Sequence, residues 1–281
     1  MKYDAFLTKK KLLDTFIYNN IVIHGNNTLA IAVQAATADQ YDRANALAAN
    51  LGIPLLQKNT KEFQYLLICS ADSIALKQTD KNGPGPIMVN FTGLTMEYRL
   101  KHGGGRSQAL ARAIGLKKGR QPSVIDATAG LGRDGFIMAH LGCHVHMLER
   151  SPILAAMLED GLQRAKQAAA QTAEIAGRIR LTHADSNEFL QKLKLQDWPN
   201  VIYLDPMFPE RTKSSLVKKE MRILRGLAGD DQDAGKLLDI ALHCARNRVV
   251  VKRPRLAPTL DDTVPSHAIT GKTSRFDVYL F

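Results

Sequence analysis

The stretch that decides the fold is Val124-Ile-Asp-Ala-Thr-Ala-Gly-Leu-Gly-Arg-Asp-Gly135. Its apolar start is typical of a buried strand, and a helical pattern follows over 133–141. Gly130, Gly132 and Gly135 lie between the two in the spacing G-x-G-x-x-G, which in this context predicts a loop that binds a nucleotide or a nucleoside. The spacing alone leaves more than one class of enzyme open.

Outside this stretch, apolar strands alternate with helical segments. Strands are predicted at 144–149, 178–183, 201–204, 248–252 and 276–280, and helices at 152 to about 176, 188–195, 214–227 and 235–247. This alternation predicts an α/β protein with a doubly wound, mostly parallel sheet covered on both faces. Such a sheet binds its ligand beyond the carboxyl ends of its strands, at the topological switch point.

The preceding part of the chain has a different organisation. Short strands at 29–33 and 65–69, with a helix at 39–50 between them, predict a small α/β unit of its own. We therefore expect two domains, a small N-terminal α/β domain at 1–95 and a larger domain at 96–281 that contains the glycine loop.

Acidic and polar residues follow the first three strands of the larger domain. Asp126 and Asp134 suit a cation better than a pyrophosphate, which favours S-adenosylmethionine over NAD because its sulfonium and ammonium are positively charged. Glu149 is placed for ribose hydroxyls, and Asp185 or Ser186 for the adenine edge. For each acid the alternative is a helix cap or a turn.

The fourth strand ends in Tyr203-Leu-Asp-Pro-Met-Phe-Pro-Glu-Arg211. Its loop resembles the Asp/Asn-Pro-Pro-Tyr/Phe motif of methyltransferases that act on exocyclic amino groups of bases, with Met207 in place of the second proline. The Asp205 carboxylate and the Pro206 carbonyl can accept the two amine hydrogens, and Phe208 can stack on the base. Core packing is the alternative for Phe208.

The composition favours a polyanionic partner. The 281 residues carry a net charge of +11 with a pI near 9.6. Basic residues concentrate at 99–120, 211–225 and 252–255. One such cluster alone could be the solvent-exposed face of a helix, but three together favour a surface that binds nucleic acid. The candidate phosphate contacts are Arg106, Lys213, Lys218, Lys219, Arg222, Lys252 and Arg253.

Other classes find little support in the sequence. No apolar run approaches the roughly 18 residues of a membrane span, and no signal peptide is evident, so we expect a cytoplasmic protein. Cys69, Cys143 and Cys244 form no CxxC pair and predict neither disulfides nor a zinc ribbon. His140, His144 and His146 lack the spacing of a ligand set, and no metal is expected.

Together these motifs resemble the bacterial ribosomal RNA small subunit methyltransferase J family. The resemblance is carried by His102-Gly-Gly-Gly-Arg106, Asp126–Asp134, Met147-Leu-Glu-Arg150, Tyr203–Pro209, Leu216-Val-Lys-Lys-Glu-Met-Arg222 and Val249-Val-Val-Lys-Arg-Pro254.

The resemblance implies a Rossmann-like fold that uses S-adenosylmethionine to methylate N2 of a guanine in 16S rRNA, at nucleotide 1516. It also implies the small ribosomal subunit or its RNA as the partner. Cofactor contacts would fall on Arg133, Asp134, Glu149, Arg150, Asp185, Ser186 and Asp205.

Three alternatives remain open from the residues themselves. The enzyme could methylate another nucleobase amine, it could be a nicotinamide-dependent oxidoreductase, or the chain could be a non-catalytic RNA-binding factor in ribosome assembly.

Overall fold

The computed structural model describes residues 15–18, 21–24, 27–57, 62–80, 83, 85–102, 105–207, 223, 226–227, 233–271 and 274–281. The chain divides into two compact units. The first contains Met1–Met88 and Arg150–Met157; the second contains Val89–Glu149, Leu158–Pro209 and Asp231–Phe281. The domain boundary between 95 and 96 stays a prediction.

The first unit is built on a mixed seven-stranded sheet. Its elements are β1 Thr15–Tyr18, β2 Ile21–His24, β3 Asn27–Ala35, α1 Tyr41–Leu51, β4 Leu55–Leu56, β5 Tyr65–Cys69, β6 Ile74–Gln78 and β7 Ile87–Met88. The strand order is β1-β2-β3-β5-β6-β7, and β4 pairs with β3. Among the strand pairs that the described residues form in this unit, β3–β4 and β3–β5 are parallel and the others are antiparallel. Ala32, Phe63 and Leu66 form a buried cluster in this unit.

The second unit contains the predicted sheet. Its strands are β8 Ser123–Asp126, β9 His144–Glu149, β10 Ile179–His183, β11 Val201–Leu204, β12 Arg248–Pro254, β13 His267–Thr270 and β14 Ser274–Leu280. The order is β10-β9-β8-β11-β12-β14-β13. The five strands from β10 to β12 are parallel, and β14 and β13 are antiparallel additions. The predicted doubly wound, mostly parallel sheet is confirmed.

The remaining helices either precede β8 or connect the strands of this second sheet. They are α2 Leu94–His102, α3 Ala109–Ala113, α4 Arg133–His140, α5 Pro152–Lys166, α6 Ala170–Gly177, α7 Ser186–Gln191 and α8 Ala234–Leu242. The single helix predicted from 152 to about 176 is wrong, because the chain breaks helix at 167–169 and restarts. The predicted helix at 214–227 lies almost wholly outside the described residues.

The two faces of the second sheet have different roles. One face carries Ile125, Ile202 and Val249, which pack with α7 and α8 in a single apolar core. The opposite face carries Asp126 and Met147, and α4 lies over it. No helix in the described ranges is long and apolar enough to cross a membrane.

Candidate active site

The site begins where two neighbouring strands end. β8 and β11 pair in parallel, with Tyr203 opposite Asp126. From β8 the chain continues to β9 and β10 on one side, while β11 leads to β12 on the other, so the order reverses between β8 and β11. Asp126 ends β8, and Asp205 directly follows β11. Both predicted carboxylates therefore lie at the topological switch point.

The glycine loop after β8 requires its glycines. Gly130 and Gly132 have φ of +55° and +70°, in the left-handed region that favours glycine. A Cβ on Gly132 would lie 2.6 Å from Leu158 Cδ1. The backbone N–H of Gly130 donates to Glu149 Oε2 at 2.8 Å, which fixes the loop against the end of β9. Glu149 is 5% exposed, so its carboxylate helps to shape the loop.

Asp134, in the first turn of α4, accepts from three side chains. The Tyr203 hydroxyl donates to Oδ2 at 2.8 Å, and the Lys252 ammonium reaches the same oxygen at 2.7 Å. Arg99 contacts Oδ1 at 3.3 Å. Burial would raise the pKa of Asp134, but the charge and hydrogen bond of Lys252, together with Tyr203 and Arg99, outweigh burial and lower it. Asp134 is therefore an anion inside the site.

Asp205 is held from its backbone and from its side chain. Its N–H donates to Thr128 Oγ1 at 2.6 Å, which joins the loop after β11 to the loop after β8. Its Oδ2 lies 2.6 Å from the Lys252 ammonium. The carboxylate is 38% exposed, so a ligand can approach it.

Asp126 lies in a different environment. It is 2% exposed, and Oδ1 accepts from the Thr128 N–H at 3.3 Å. Burial, followed by repulsion from Asp134, raises the pKa of Asp126 to about 8. This carboxyl is therefore mostly protonated at neutral pH.

After β10 the predicted residues have structural partners. Asp185 is the N-cap of α7, and its carboxylate accepts the Glu188 N–H at 3.0 Å. The helix cap, which the sequence left open as the alternative for this acid, is therefore present. The Ser186 hydroxyl donates to the Ala127 carbonyl at 2.6 Å and is 7% exposed. β10 pairs in parallel with β9, with His183 opposite Glu149. Asp185 and Ser186 therefore follow the strand next to the one that ends in Glu149.

The predicted cofactor contacts Arg133 and Arg150 have different settings. Arg133 begins α4 with an exposed side chain. Arg150 belongs to the segment Arg150–Met157, which is part of the first unit. Their roles stay predictions.

Two residues assigned to RNA binding are not on the surface. The Lys252 side chain is 27% exposed and paired with two carboxylates, and Arg253 is 4% exposed. The ammonium of Lys252 is already engaged by Asp134 and Asp205, and the guanidinium of Arg253 is buried, so neither side chain is presented to a phosphate. Several other predicted residues, or their side chains, lie outside the described part of the chain: Arg106, Phe208, Lys213, Lys218, Lys219 and Arg222.

The sequence motifs did not identify Thr128 or Tyr203 as site residues, and the basic clusters assigned Lys252 to phosphate binding. Strand periodicity could have placed Tyr203 and Lys252 in the site. Tyr203 precedes Asp205 by two residues, so both point to the same face of the sheet. Lys252 follows Val251, the partner of Leu204, so it lies opposite Asp205. Thr128 gives no such signal, because its hydroxyl acts across a loop contact.

The site therefore combines anionic oxygens, a glycine loop and a rigid Asp-Pro segment. Among the described residues, no group of three His, Cys, Asp or Glu side chains is arranged for a metal ion. Carboxylates at a switch point suit a cationic nucleoside, and the Asp205 carboxylate with the Pro206 carbonyl suits an amine.

Comparisons with known proteins agree with this chemistry. The family model SAM_MT, which describes SAM-dependent methyltransferases, matches residues 47–281. A ribosomal RNA small subunit methyltransferase J from Thioalkalivibrio sulfidiphilus is 48% identical over 250 residues, covering 89% of this chain and 97% of the relative. The protein of that name from Nitrosococcus oceani is 49% identical over 244 residues, covering 86% and 95%.

A solved structure is also similar. The crystal structure of a SAM-dependent methyltransferase from Neisseria gonorrhoeae matches with a TM-score of 0.70 at 34% identity, covering 89% of this chain and 95% of that one. The fold and the cofactor class thus favour a methyltransferase over a nicotinamide-dependent oxidoreductase.

Proposed function

Because the chain belongs to the ribosomal RNA small subunit methyltransferase J family, we propose that it transfers a methyl group from S-adenosylmethionine to the N2 amine of a guanine in 16S rRNA. By family resemblance the guanine is nucleotide 1516. The observation that carries the proposal is Asp205-Pro206 at the switch point, joined through Thr128 to the glycine loop. The cytoplasm, where ribosomal RNA matures in bacteria, is the proposed location.

The residues present fit S-adenosylmethionine. The Asp134 and Asp205 carboxylates supply negative charge for its cationic end, and Gly130, where an added Cβ would meet nothing within 4 Å, leaves the loop backbone open to a close ligand. S-adenosylmethionine supplies an electrophilic methyl group on a sulfonium. The other proposed contacts are Asp126, Arg133, Glu149, Arg150, Asp185 and Ser186.

The amine is oriented by the loop after β11. A guanine amine is a weak nucleophile because its lone pair is delocalised into the ring. We assign the Asp205 carboxylate and the Pro206 carbonyl as acceptors of its two hydrogens, which directs the nitrogen lone pair to the methyl group. Pro206 has no N–H and a fixed φ, so its carbonyl is held rigidly. After transfer, the proton leaves to solvent or to a nearby group.

Phe208 completes this proposal as a stacking partner for the base. An unpaired or flipped-out base that stacks on an aromatic ring gains about 1–3 kcal/mol. The prolines on either side restrict the loop that presents it.

The RNA contacts are proposed for the basic clusters. In the cluster 99–120, the side chains of Arg112, Lys117, Lys118 and Arg120 are exposed, as phosphate contacts require. The net charge of +11 supports attraction to RNA in general and carries no sequence specificity. Specificity is assigned to the base pocket around Asp205.

The decisive experiment is to delete the gene and map guanine-N2 methylation of 16S rRNA by mass spectrometry. We expect one methylated guanine to disappear and to return with the wild-type gene. Asp205→Ala should not restore it, whereas Asp239→Ala should, because the Asp239 carboxylate is 75% exposed on α8 and pairs with His243 of the same segment. An unchanged methylation map would refute the proposed function.

The same strains separate the alternatives. If another base amine loses its methyl group, the chain is a methyltransferase with a different substrate. If growth or subunit assembly depends on the gene and Asp205→Ala restores it fully, a non-catalytic RNA-binding role is favoured.

A further inference from the structure

Lys252 is a cation shared by two carboxylates from different parts of the fold. Its ammonium lies 2.7 Å from Asp134 Oδ2, on α4, and 2.6 Å from Asp205 Oδ2, after β11. Arg99 contacts Asp134 as well, but at 3.3 Å and from a side chain that is 42% exposed. Of these two cations on Asp134, Lys252 is the better buried.

The sheet register places Lys252 there. In the parallel pair of β11 and β12, Tyr203 lies opposite Val250 and Leu204 opposite Val251. The next position on β12 is Lys252, opposite Asp205, with its side chain on the same face as that of Val250. This is the face that α4 covers, so a lysine at this position reaches both acids.

The charges around it explain why a cation is needed. The Asp134 and Asp205 carboxylates both act on Lys252, and repulsion from the same two carboxylates opposes ionisation of Asp126. Burial would lower the pKa of Lys252, but Asp134 and Asp205 outweigh burial and raise it. Lys252 stays protonated across the physiological range and therefore cannot act as a general base.

We propose that Lys252 is a positioning residue of the transfer reaction, which holds the cofactor-side carboxylate of Asp134 and the amine-side carboxylate of Asp205 in one geometry. The proposal rests on the proposed function. The Lys252 ammonium binds Asp205 Oδ2 and so fixes the orientation of the carboxylate. The lone pairs of the carboxylate that Lys252 does not use then point in a defined direction and can accept a hydrogen from the amine. Asp205 therefore acts as an oriented acceptor of the amine hydrogen.

Removal of the cation should have two effects. The carboxylates would repel each other and move apart, and a misplacement of about 1 Å can cost about 100-fold in rate. Asp134 would also take up a proton more easily, because the positive charge of Lys252 lowers the pKa of its carboxyl. The second effect is a signature that loss of packing alone would not produce.

The test compares Lys252→Met with Lys252→Arg, and with Lys192→Met as the matched control. Lys192 makes an ion pair at 3.4 Å on the surface, directly after α7, and is 75% exposed. Thermal unfolding is measured for each protein. S-adenosylhomocysteine binding is measured by calorimetry at pH 6 and pH 8, and methyl transfer is measured on small ribosomal subunits from the deletion strain.

For Lys252→Met we expect transfer to fall about 100-fold. Its affinity for S-adenosylhomocysteine should drop by about tenfold more at pH 6 than at pH 8, relative to the wild type. Lys252→Arg should restore most of the pH behaviour, because it keeps a cation between the acids, and Lys192→Met should match the wild type. If Lys252→Met does not fold, Lys252→Gln provides the neutral variant.

The proposal is overturned if the neutral variant binds S-adenosylhomocysteine with wild-type pH dependence and transfers methyl groups within about threefold of the wild-type rate. A wild type that methylates no guanine N2 would refute the proposed function instead. In that case the S-adenosylhomocysteine titrations still decide whether Lys252 organises the carboxylates.

Discussion

Asp126 and Asp205 occupy equivalent places in the sequence and opposite electrostatic environments. Each comes at the end of an apolar parallel strand, and the two strands are neighbours in the sheet. Asp126 is 2% exposed, and its pKa is raised to about 8. Asp205 is 38% exposed and paired with the Lys252 ammonium at 2.6 Å.

The difference comes from the elements packed above each strand end. α4 covers Asp126 so closely that a Cβ on Gly135 would lie 3.0 Å from its Oδ2. Asp205 is next to β12, which supplies Lys252, and it keeps an open side. Burial therefore keeps Asp126 protonated, whereas pairing with Lys252 and partial exposure leave the Asp205 carboxylate available to a ligand.

The largest effect is expected at Asp205. Asp205→Asn keeps the shape of the side chain but removes its charge, so the amine loses an anionic acceptor and Lys252 loses a partner. We expect kcat for methyl transfer to fall about 10²- to 10³-fold, with S-adenosylhomocysteine binding weakened much less. Steady-state kinetics and calorimetry measure the two effects. Asp239→Asn is the control, and a kcat within about threefold of wild type would contradict the role of Asp205.

The next effect is on stability at Asp126. Its pKa is about 8 in the folded state against an ordinary value of 3.8, so between these values the folded protein keeps a proton that the unfolded chain has lost. Stability of the wild type should therefore fall as pH rises through this window, by up to about 1.4 kcal/mol per pH unit from this group. Asp126→Asn removes this contribution.

The measurement is urea unfolding of both proteins from pH 5 to pH 8. The stability of Asp126→Asn relative to the wild type should grow towards pH 8, and Asp239→Asn should show no such trend. Parallel pH profiles for the wild type and Asp126→Asn would mean that Asp126 is ionised in the folded protein.

A smaller effect is expected where the two loops meet. Thr128→Val keeps the volume of the side chain but removes the hydroxyl that accepts the Asp205 N–H at 2.6 Å. We expect a loss of about 1–3 kcal/mol in stability, together with a lower kcat. Chemical denaturation and kinetics test this, and Thr128→Ser, which keeps the hydroxyl, should behave like the wild type. Equal behaviour of the valine and serine variants would show that the contact does not join the loops.

The smallest effect is expected at Tyr203. Tyr203→Phe removes the hydroxyl that donates to Asp134 at 2.8 Å, while Lys252 and Arg99 keep their contacts with that acid. We expect a loss of about 0.5–1.5 kcal/mol in stability, the range of an ordinary hydrogen bond, because those two cations still satisfy the carboxylate. Tyr279→Phe removes a longer hydroxyl bond, 3.2 Å to the Thr263 carbonyl, and serves as the comparison. If Tyr203→Phe costs less than Tyr279→Phe, the Asp134 contact is unimportant.

Much of the second unit was predictable from local pattern. The predicted strands at 144–149 and 201–204 match β9 and β11. The signal is clearest for β11, because a strand buried on both faces is apolar throughout. β13 was missed, because its residues are mostly exposed and carry no such signal. The break between α5 and α6 was also missed, because the alanine-rich sequence there has high helix propensity throughout.

The sequence by itself determined the glycine loop, the parallel sheet and the Asp-Pro segment after the fourth strand, since each depends on residues close together in the chain. Only the tertiary structure decided which acids are charged. Burial under α4 raises the pKa of Asp126, and Asp134 is kept ionised by Lys252, which is 118 positions away in the chain. Electrostatic environment depends on distance in space and on exclusion of water, and neither can be read from a linear pattern.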